Sequence, residues 1–324
     1  MTRSKEPVFG IAMRNFTKYP EMPDAAELIE YGVRMEELGY ESIWAWDHIL
    51  LGVSPSFPIH EALAILTAVA ARTSRIKVGT GILVMPVRNP VILAKELATV
   101  DHISNGRLIL GTAVGWYRRE FESLGADFTQ RGRQMEQGLE ILKRLWTEDI
   151  VDGDYPPYKL RGAVLQPKPV QKPHPPILIG GYVDAVLKRV ATKGDGWLTY
   201  YYTVESFTKA WAKIRAFAEE AGRDPDELSA TNQLPICVGP RAQVEAPMKH
   251  WLQTEWDYAS WSESTMDSAI MGTPEECVEQ LSSHIEAGLD RIIFVPYKYE
   301  AEQVAAIARQ IIPQLKKRAE RRKS

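Results

Sequence analysis

Short apolar segments alternate with amphipathic segments along the whole chain. The apolar segments are almost unbroken, which is typical of parallel strands that are buried on both faces of a sheet. Eight such segments are evident, at residues 8–13, 42–47, 76–84, 107–114, 176–181, 196–202, 229–239 and 291–297.

The amphipathic segments have apolar residues three and four positions apart, which is the period of a helix with one buried face. In residues 24–39, for example, Leu28 and Tyr31 share a face, and Asp24 occupies the N-cap position. Strands separated by such helices, with no linker of different composition, predict a single domain over residues 1–324. The predicted fold is the α/β architecture of a (β/α)8 TIM barrel.

Two regions contain more residues than the eight strand–helix units need. Residues 150–175 are rich in proline and glycine and predict an insertion before the fifth strand, with a short hairpin and an extended arm. Residues 240–290 contain two predicted helices where one would suffice, so extra helical mass precedes the eighth strand. This extra mass could serve as a lid, as an oligomer contact or as simple padding of the barrel.

The composition is that of an ordinary soluble protein, with 45% hydrophobic residues, 25% charged residues and a formal net charge of -3. This charge gives no electrostatic reason to expect nucleic acid or an anionic membrane as a partner. No signal peptide or membrane-spanning segment is evident, so we expect a cytoplasmic protein. Cys237 and Cys277 form no CxxC pair and predict neither a disulfide framework nor a structural zinc site.

Chemistry in a TIM barrel takes place at the carboxyl ends of the strands, so the residues just past each apolar segment are the candidates. Glycines and aromatic residues dominate these positions, with one histidine and few carboxylates. The candidates are Asp47 and His48 after the second strand, Thr80 and Gly81 after the third, Gly115 and Trp116 after the fourth, and Gly180, Gly181 and Tyr182 after the fifth.

The residues at the strand ends do not include the motifs that several classes of enzyme require. The chain has no HExxH motif for a metal, no GxSxG nucleophile elbow and no convincing pair of strand-end carboxylates for glycoside hydrolysis, so we expect no metal site. The GTG at residues 79–81 lacks the third glycine of a dinucleotide-binding turn. Glycine backbone and flat aromatic faces suit a planar ring instead, which indicates that a cofactor supplies the chemistry.

Several separate blocks resemble the bacterial luciferase-like superfamily of flavin-dependent oxidoreductases. These blocks are WDHIL at residues 46–50, the long segment 79–125, RGRQMEQGLEILKRLW, PPILIGG, KGDGWL and the closing segment 273–297, and together they span nearly the whole chain. The GTAVGW of the fourth strand and the following EFESLG are most similar to the branch that uses the deazaflavin coenzyme F-420. Members that use FMN are a close second.

The resemblance implies roles for the candidates after the second and third strands. His48 would lie near the ring of the cofactor and assist proton or hydride chemistry, with Asp47 as the residue that orients it. Thr80 and Gly81 would contact the ring. A bulge with a cis peptide, expected within Ile82 to Met85, would lie against the back of the ring.

The resemblance also implies roles for the candidates after the fourth and fifth strands. Gly115 would permit a turn, and Trp116 or Tyr117 would help to enclose the ring. Gly180 and Gly181 match the family's phosphate-binding turn, where backbone N–H groups and a helix N-terminus meet the anion. Tyr182 departs from the family, which has a small hydroxyl residue at this position.

The charged residues after the fourth strand are interpreted as surface groups. Arg118, Arg119 and Glu120 have the character of solvated loop charges. Arg131 and Arg133 stand at the start of the next helix, where they are either solvated or face the tail of a cofactor.

These observations predict an oxidoreductase that transfers hydride between F-420 and a small organic substrate, with His48 as the proton partner. The nearest alternative is an FMN-dependent monooxygenase that uses reduced flavin and oxygen. A phosphosugar lyase or isomerase is a distant alternative, for which Lys298 would be the base. A further alternative is a barrel that binds flavin without catalysing a reaction. The resemblance further implies a homodimer.

Overall fold

The computed structural model describes residues 6–52, 56–255 and 264–321. Strands occur at all eight predicted places, together with short additional ones. The strands are β1 (Val8–Ala12), β2 (Ser42–Ala45), β3 (Lys77–Thr80), β4 (Leu83–Val84), β5 (Leu108–Ala113), β6 (Val151–Tyr155), β7 (Tyr158–Ala163), β8 (Ile177–Gly180), β9 (Gly196–Tyr200), β10 (Ser229–Val238), β11 (Ile270–Gly272) and β12 (Arg291–Pro296).

Helices follow the strands in alternation, as predicted. They are α1 (Ala25–Glu37), α2 (Ala62–Arg72), α3 (Pro90–Ile103), α4 (Arg118–Ser123), α5 (Arg131–Thr147), α6 (Asp184–Lys193), α7 (Val204–Glu220), α8 (Arg241–Glu255), α9 (Ser264–Asp267), α10 (Pro274–Glu286), α11 (Ala301–Ala306) and α12 (Ile312–Arg321). Among the described helices, none is both long and apolar enough to cross a membrane.

Eight parallel strands form a closed ring in the order β10, β12, β1, β2, β3, β5, β8 and β9, with β9 paired to β10. This topology confirms the predicted (β/α)8 barrel. The short strand β4 pairs in parallel with β5, and the short strand β11 pairs in parallel with β10. Strands β6 and β7 form a separate antiparallel hairpin, within the proline-rich region where a hairpin was expected.

The region before the last strand contains α8, α9, β11 and α10. The sequence pattern predicted two helices there but not β11, because a strand of three residues is too short to show a period. Residues 256–263, at the aromatic end of the first of these predicted helices, lie outside the described residues.

The chain divides into two compact units. The first unit comprises Met1–Arg14, Arg34–Trp44 and Gly181–Ser324. In its core, β1 lies beside β12 with Ile11 opposite Phe294. The rings of Phe9 and Phe294 stack at 6.1 Å between centroids. These contacts explain why both strands are continuously apolar.

The second unit comprises Asn15–Val33 and Ala45–Gly180. Its helices α3 and α5 pack together, and Leu97 and Trp146 are buried. The Trp146 indole Nε1–H donates to the carbonyl oxygen of Ala94 at 2.9 Å, so its polar atom is satisfied in the core. This unit carries most of the candidate site residues.

Candidate active site

The candidates for ring binding follow three strands that are neighbours in the sheet, β2, β3 and β5. Because parallel strands end at the same edge, His48, Gly81 and Gly115 are brought to one edge of the sheet. Residues that are far apart along the chain therefore become neighbours in the second unit.

His48 contacts the carboxylate of Glu120, which lies in α4, the short helix after β5. The His48 Nδ1 atom is 2.9 Å from Oε2 of Glu120, and the two side chains are 13% and 1% exposed. The other carboxylate oxygen, Oε1, accepts hydrogen bonds from the backbone N–H groups of Ile49 at 2.6 Å and Leu50 at 3.1 Å. Glu120 therefore holds both the histidine ring and the backbone that follows it.

The protonation of this pair follows from its contacts. Burial by itself raises the pKa of a carboxyl group, but the hydrogen bond and charge of His48, with the N–H groups of Leu50 and Ile49, hold the pKa of Glu120 below its ordinary value. An ionised carboxylate can only accept hydrogen bonds. The Nδ1 atom of His48 therefore carries a proton, and Nε2 is the atom that can accept or return a second one.

The expectation that Glu120 is a solvated loop charge is wrong. In the first turn of α4, Arg118 and Arg119 are exposed, whereas Glu120 and Phe121 are buried. A helix of six residues is too short to show an amphipathic period, so the pattern could not reveal which of three consecutive charges turns inward. The usable signal is the apolar Phe121 beside Glu120, which marks the inward side of the turn.

Glu120, and not Asp47 as predicted, is the carboxylate that contacts His48, because both Asp47 oxygens have other partners. Oδ2 accepts a hydrogen bond from the backbone N–H of Val84 at 2.9 Å. Oδ1 accepts one from Nη2 of Arg88 at 2.7 Å. Arg88 also donates to Oε1 of Glu61 at 2.8 Å. Burial raises the pKa of the Asp47 carboxyl, and the positive charge of Arg88 acts in the opposite direction. Asp47 thus anchors the turn after β4.

The segment between β3 and β4 contains a cis peptide bond, Gly81–Ile82, where the predicted bulge begins. The Thr80 hydroxyl donates to the carbonyl oxygen of Gly111 at 2.7 Å and accepts the N–H of the same residue at 3.0 Å. The buried sulfur of Met85 lies against α5, where a Cβ atom on Gly138 would come within 2.7 Å of it. The side chains of Thr80 and Met85 therefore fix the bulge through protein contacts.

Gly115 and Trp116 begin the loop after β5. Gly115 has a φ of +75°, and a Cβ atom there would come within 2.6 Å of the Val84 side chain, so a larger residue does not fit the turn. Trp116 is 40% exposed, and its ring meets that of His48 edge to face at 5.7 Å between centroids. The Trp116 ring also contacts that of Tyr117 at 5.3 Å between centroids, so two aromatic rings lie beside the histidine.

The predicted phosphate-binding turn follows β8. Gly180 ends the strand, and Gly181 has a φ of +129°. The carbonyl oxygen of Gly181 accepts the Trp197 indole N–H at 2.8 Å. Tyr182 is exposed, and α6 begins at Asp184. A glycine turn that leads into a helix N-terminus has the form of many anion sites, and the phosphate role stays a prediction.

The chemistry available at this edge of the second unit is proton transfer beside an aromatic face. The imidazole of His48 is a group that can transfer a proton, it contacts the buried carboxylate of Glu120, and the ring of Trp116 lies beside it. In the described ranges, no group of three or more histidine, cysteine, aspartate and glutamate side chains is arranged to hold a metal ion.

Residues 9–291 match the sequence profile of the family described as luciferase-like monooxygenase. The chain is 28% identical over 320 residues to an F420-dependent glucose-6-phosphate dehydrogenase of Amycolatopsis mediterranei, with 90% of this chain and 94% of the relative covered. It is 27% identical over 300 residues to an FMNH(2)-dependent dimethylsulfone monooxygenase of Pseudomonas putida, with 82% and 81% covered.

Solved structures share the fold. An F420-dependent secondary alcohol dehydrogenase in complex with an F420-acetone adduct has a TM-score of 0.80 at 20% identity, with 96% of this chain and 99% of that chain covered. Monooxygenase RslO1 from Streptomyces bottropensis has a TM-score of 0.79 at 24% identity, with 95% and 99% covered. Because the family profile matches most of its length, the chain belongs to the luciferase-like monooxygenase family, whose characterised relatives include F-420-dependent and FMN-dependent enzymes.

Proposed function

We propose that this protein transfers hydride between the deazaflavin coenzyme F-420 and a small organic substrate. The observation that carries the proposal is the contact of His48 with the buried Glu120, beside the exposed ring of Trp116. Bound F-420 supplies the hydride chemistry. When the reacting carbon bears an oxygen, a proton must leave or join that oxygen, and a positioned acid–base group promotes this step.

His48 is that group in the proposal. Its Nε2 atom accepts the substrate proton in the oxidative direction and returns it in the reductive direction. Glu120 keeps the proton on Nδ1 and stabilises the positive charge that forms on the ring. The bonds from Ile49 and Leu50 to Glu120 keep the carboxylate itself in place.

Residues beside the pair fit the ring of the cofactor. We propose that Trp116, Gly115, Gly81 and Ile82 form its wall, because they lie at the ends of neighbouring strands and in the loops that follow. Asp47 acts as a positioning residue, since it accepts a hydrogen bond from the backbone N–H of Val84, within the segment Ile82 to Met85. Gly180 and Gly181, followed by Tyr182, are the residues proposed to meet the phosphate.

An FMN-dependent monooxygenase is the second candidate, because one relative is named for that activity. This activity would use the same ring wall, and the protein would have to shield the reduced flavin from water. The His48–Glu120 pair favours F-420, since a proton partner is what hydride transfer at an oxygen-bearing carbon requires. The phosphosugar alternative gains no support: the Lys298 amine lies 5.2 Å from the ring centroid of Tyr297, and the family is one of redox enzymes.

Fluorescence titration of the purified protein with F-420 and with FMN tests the choice of cofactor. We expect tight binding of F-420 and weaker binding of FMN, and binding of FMN alone would assign the second candidate. His48→Ala should then abolish most turnover across a panel of secondary alcohols and sugar phosphates. His102→Ala, an exposed histidine on α3, is the matched control and should keep full turnover.

A cytoplasmic homodimer is part of the proposal. Light scattering of the purified protein measures the oligomeric state, and cell fractionation measures the location. A monomer at working concentration would contradict the first part, and recovery in the membrane or secreted fraction would contradict the second.

A further inference from the structure

The sequence between His48 and His60 contains no charged residue. Residues 49–59 read ILLGVSPSFPI, with six apolar side chains among eleven, whereas 25% of the whole chain is charged. Connections between strands and helices run over protein surfaces, where charged side chains are common. This segment, which follows β2 directly after His48, is therefore unusually apolar for its place.

The structure holds the described parts of this segment in place. The backbone N–H groups of Ile49 and Leu50 donate to Oε1 of Glu120, the carboxylate that also contacts His48. Further along, the N–H of Phe57 donates to the carbonyl oxygen of Leu51 at 3.1 Å. The positions of Ile49 and Leu50 beside the histidine are thus fixed by hydrogen bonds.

The side chains of Ile49 and Leu50 are nevertheless exposed. Ile49 is 37% exposed and Leu50 is 49% exposed, although Phe57 in the same segment is buried. Single exposed apolar residues are common on proteins, but these two are consecutive and adjoin the His48–Glu120 pair. Covering apolar surface is favourable in proportion to the area removed from water, so a ligand that covers both side chains gains affinity.

The charged groups that contact His48 or the preceding Asp47 are already paired. Glu120 faces His48, and Arg88 bonds both Asp47 and Glu61. Three carboxylates thus stand against one guanidinium, so these groups do not attract a further anion such as a phosphate.

We infer that the substrate carries an uncharged apolar group on its reacting carbon and that Ile49 and Leu50 contact this group. The inference rests on the proposed function, in which Nε2 of His48 meets the oxygen on that carbon. An apolar group next to this oxygen lies beside the two residues that directly follow His48. Their exposed side chains then determine specificity for the size of the group.

Secondary alcohols that grow by one CH2 group at a time, from 2-propanol to 2-heptanol, test the inference in the F-420-loaded protein. Each added CH2 that contacts these side chains should raise kcat/KM about fourfold, the factor that corresponds to the burial of one CH2 group. The gain should appear mainly in KM, because the contact is made in the bound substrate as well as in the transition state. Glucose 6-phosphate, which is polar and charged, should be a poorer substrate than 2-heptanol.

Leu50→Asn keeps the approximate size of the side chain and removes its apolar character. It should reduce the gain for each CH2 and weaken the binding of 2-heptanone about tenfold. Calorimetry measures this binding without turnover, and a negative change in heat capacity on binding marks the burial of apolar surface. Leu124→Asn is the matched control, since Leu124 is 38% exposed at the end of α4 and should leave both measurements as in the wild type.

Ile49→Thr makes the same test with a β-branched side chain of similar shape. It should also reduce the gain for each CH2, whereas Ile92→Thr, at a position on α3 that is 57% exposed, should not.

A flat series of alcohols would overturn the inference and leave the proposed function standing. A higher kcat/KM for glucose 6-phosphate than for 2-heptanol would do the same, and Arg119→Met, which removes an exposed arginine of α4, would then show whether that charge is recognised there. Equal losses in Leu50→Asn and Leu124→Asn would also overturn the inference. The absence of F-420-dependent turnover with every substrate would overturn both proposals.

Discussion

The carboxylate of Glu120 holds the Nδ1 atom of His48 at 2.9 Å, although the two residues are 72 positions apart in the chain. The same carboxylate binds the backbone of Ile49 and Leu50. One buried acid thus controls both the tautomer of the histidine and the path of the chain that follows it.

Glu120→Gln should reverse the hydrogen bond to His48. The amide oxygen must still accept from Ile49 and Leu50, so the NH2 group faces Nδ1 and donates to it. The proton of the neutral ring then moves to Nε2, the wrong atom for accepting one from a substrate. We expect turnover to fall by about tenfold to a hundredfold.

Nitrogen NMR of the protein with labelled histidine reports the tautomer directly, independently of turnover. Glu122→Gln is the control, since Glu122 is exposed on the same helix. An unchanged Nε2 resonance together with full turnover would rule out the positioning role of Glu120.

Arg88→Met should destabilise the protein strongly, because it leaves the Asp47 carboxylate buried without its counter-ion. Removing one partner of a buried pair costs about 3–5 kcal/mol. Glu61→Gln touches the other, more exposed side of the same arginine and weakens the N-cap that Glu61 supplies to α2, so it should cost about 1–2 kcal/mol, less than Arg88→Met. Urea unfolding of both variants measures the difference, and similar losses of free energy would contradict this account of the turn.

Gly115→Ala should be more harmful than Gly125→Ala. Both glycines have a positive φ, of +75° and +69°, so alanine is strained at either place by about 1–2 kcal/mol. At Gly115 a Cβ atom would also collide with Val84 and Phe121, whereas at Gly125 nothing lies within 4 Å. Thermal unfolding should show the larger loss for Gly115→Ala, and fluorescence titration should show that this variant also binds F-420 more weakly. Equal losses would contradict the predicted collision.

His284 should make the protein less stable as the pH falls. It is buried in α10, and burial lowers its pKa from the ordinary value of 6.5 to about 4. Between these two pH values, His284 is therefore protonated in the unfolded chain and neutral in the folded chain. The stability contributed by the neutral form is fully present above about pH 6.5 and is lost as the pH falls toward 4, by up to about 3 kcal/mol.

The free energy of unfolding at several pH values between 7 and 4 measures this effect. His284→Gln should flatten the slope in that range, and His250→Gln, at an exposed position on α8, should leave it as in the wild type. The same slope in wild type and His284→Gln would assign the pH dependence to other groups.

Much of the fold could be predicted from the sequence because the relevant signals are local. Each buried strand, such as Leu108–Ala113, is continuously apolar, and each flanking helix shows its own period. The site was predictable only in part. His48 and Trp116 stand directly after strands, where position alone marks them as candidates. Glu120 stands in a short turn within a run of charges, where no period shows.

The sequence by itself determined that this chain is an alternating α/β barrel and, through its blocks of similarity, that it belongs to the luciferase-like family. Both follow from patterns that each segment carries alone. Only the tertiary structure decided which carboxylate orients His48 and which supports the turn after β4. Those roles depend on which side chains are buried against each other, and burial between distant segments is set by the packing of the whole sheet and its helices.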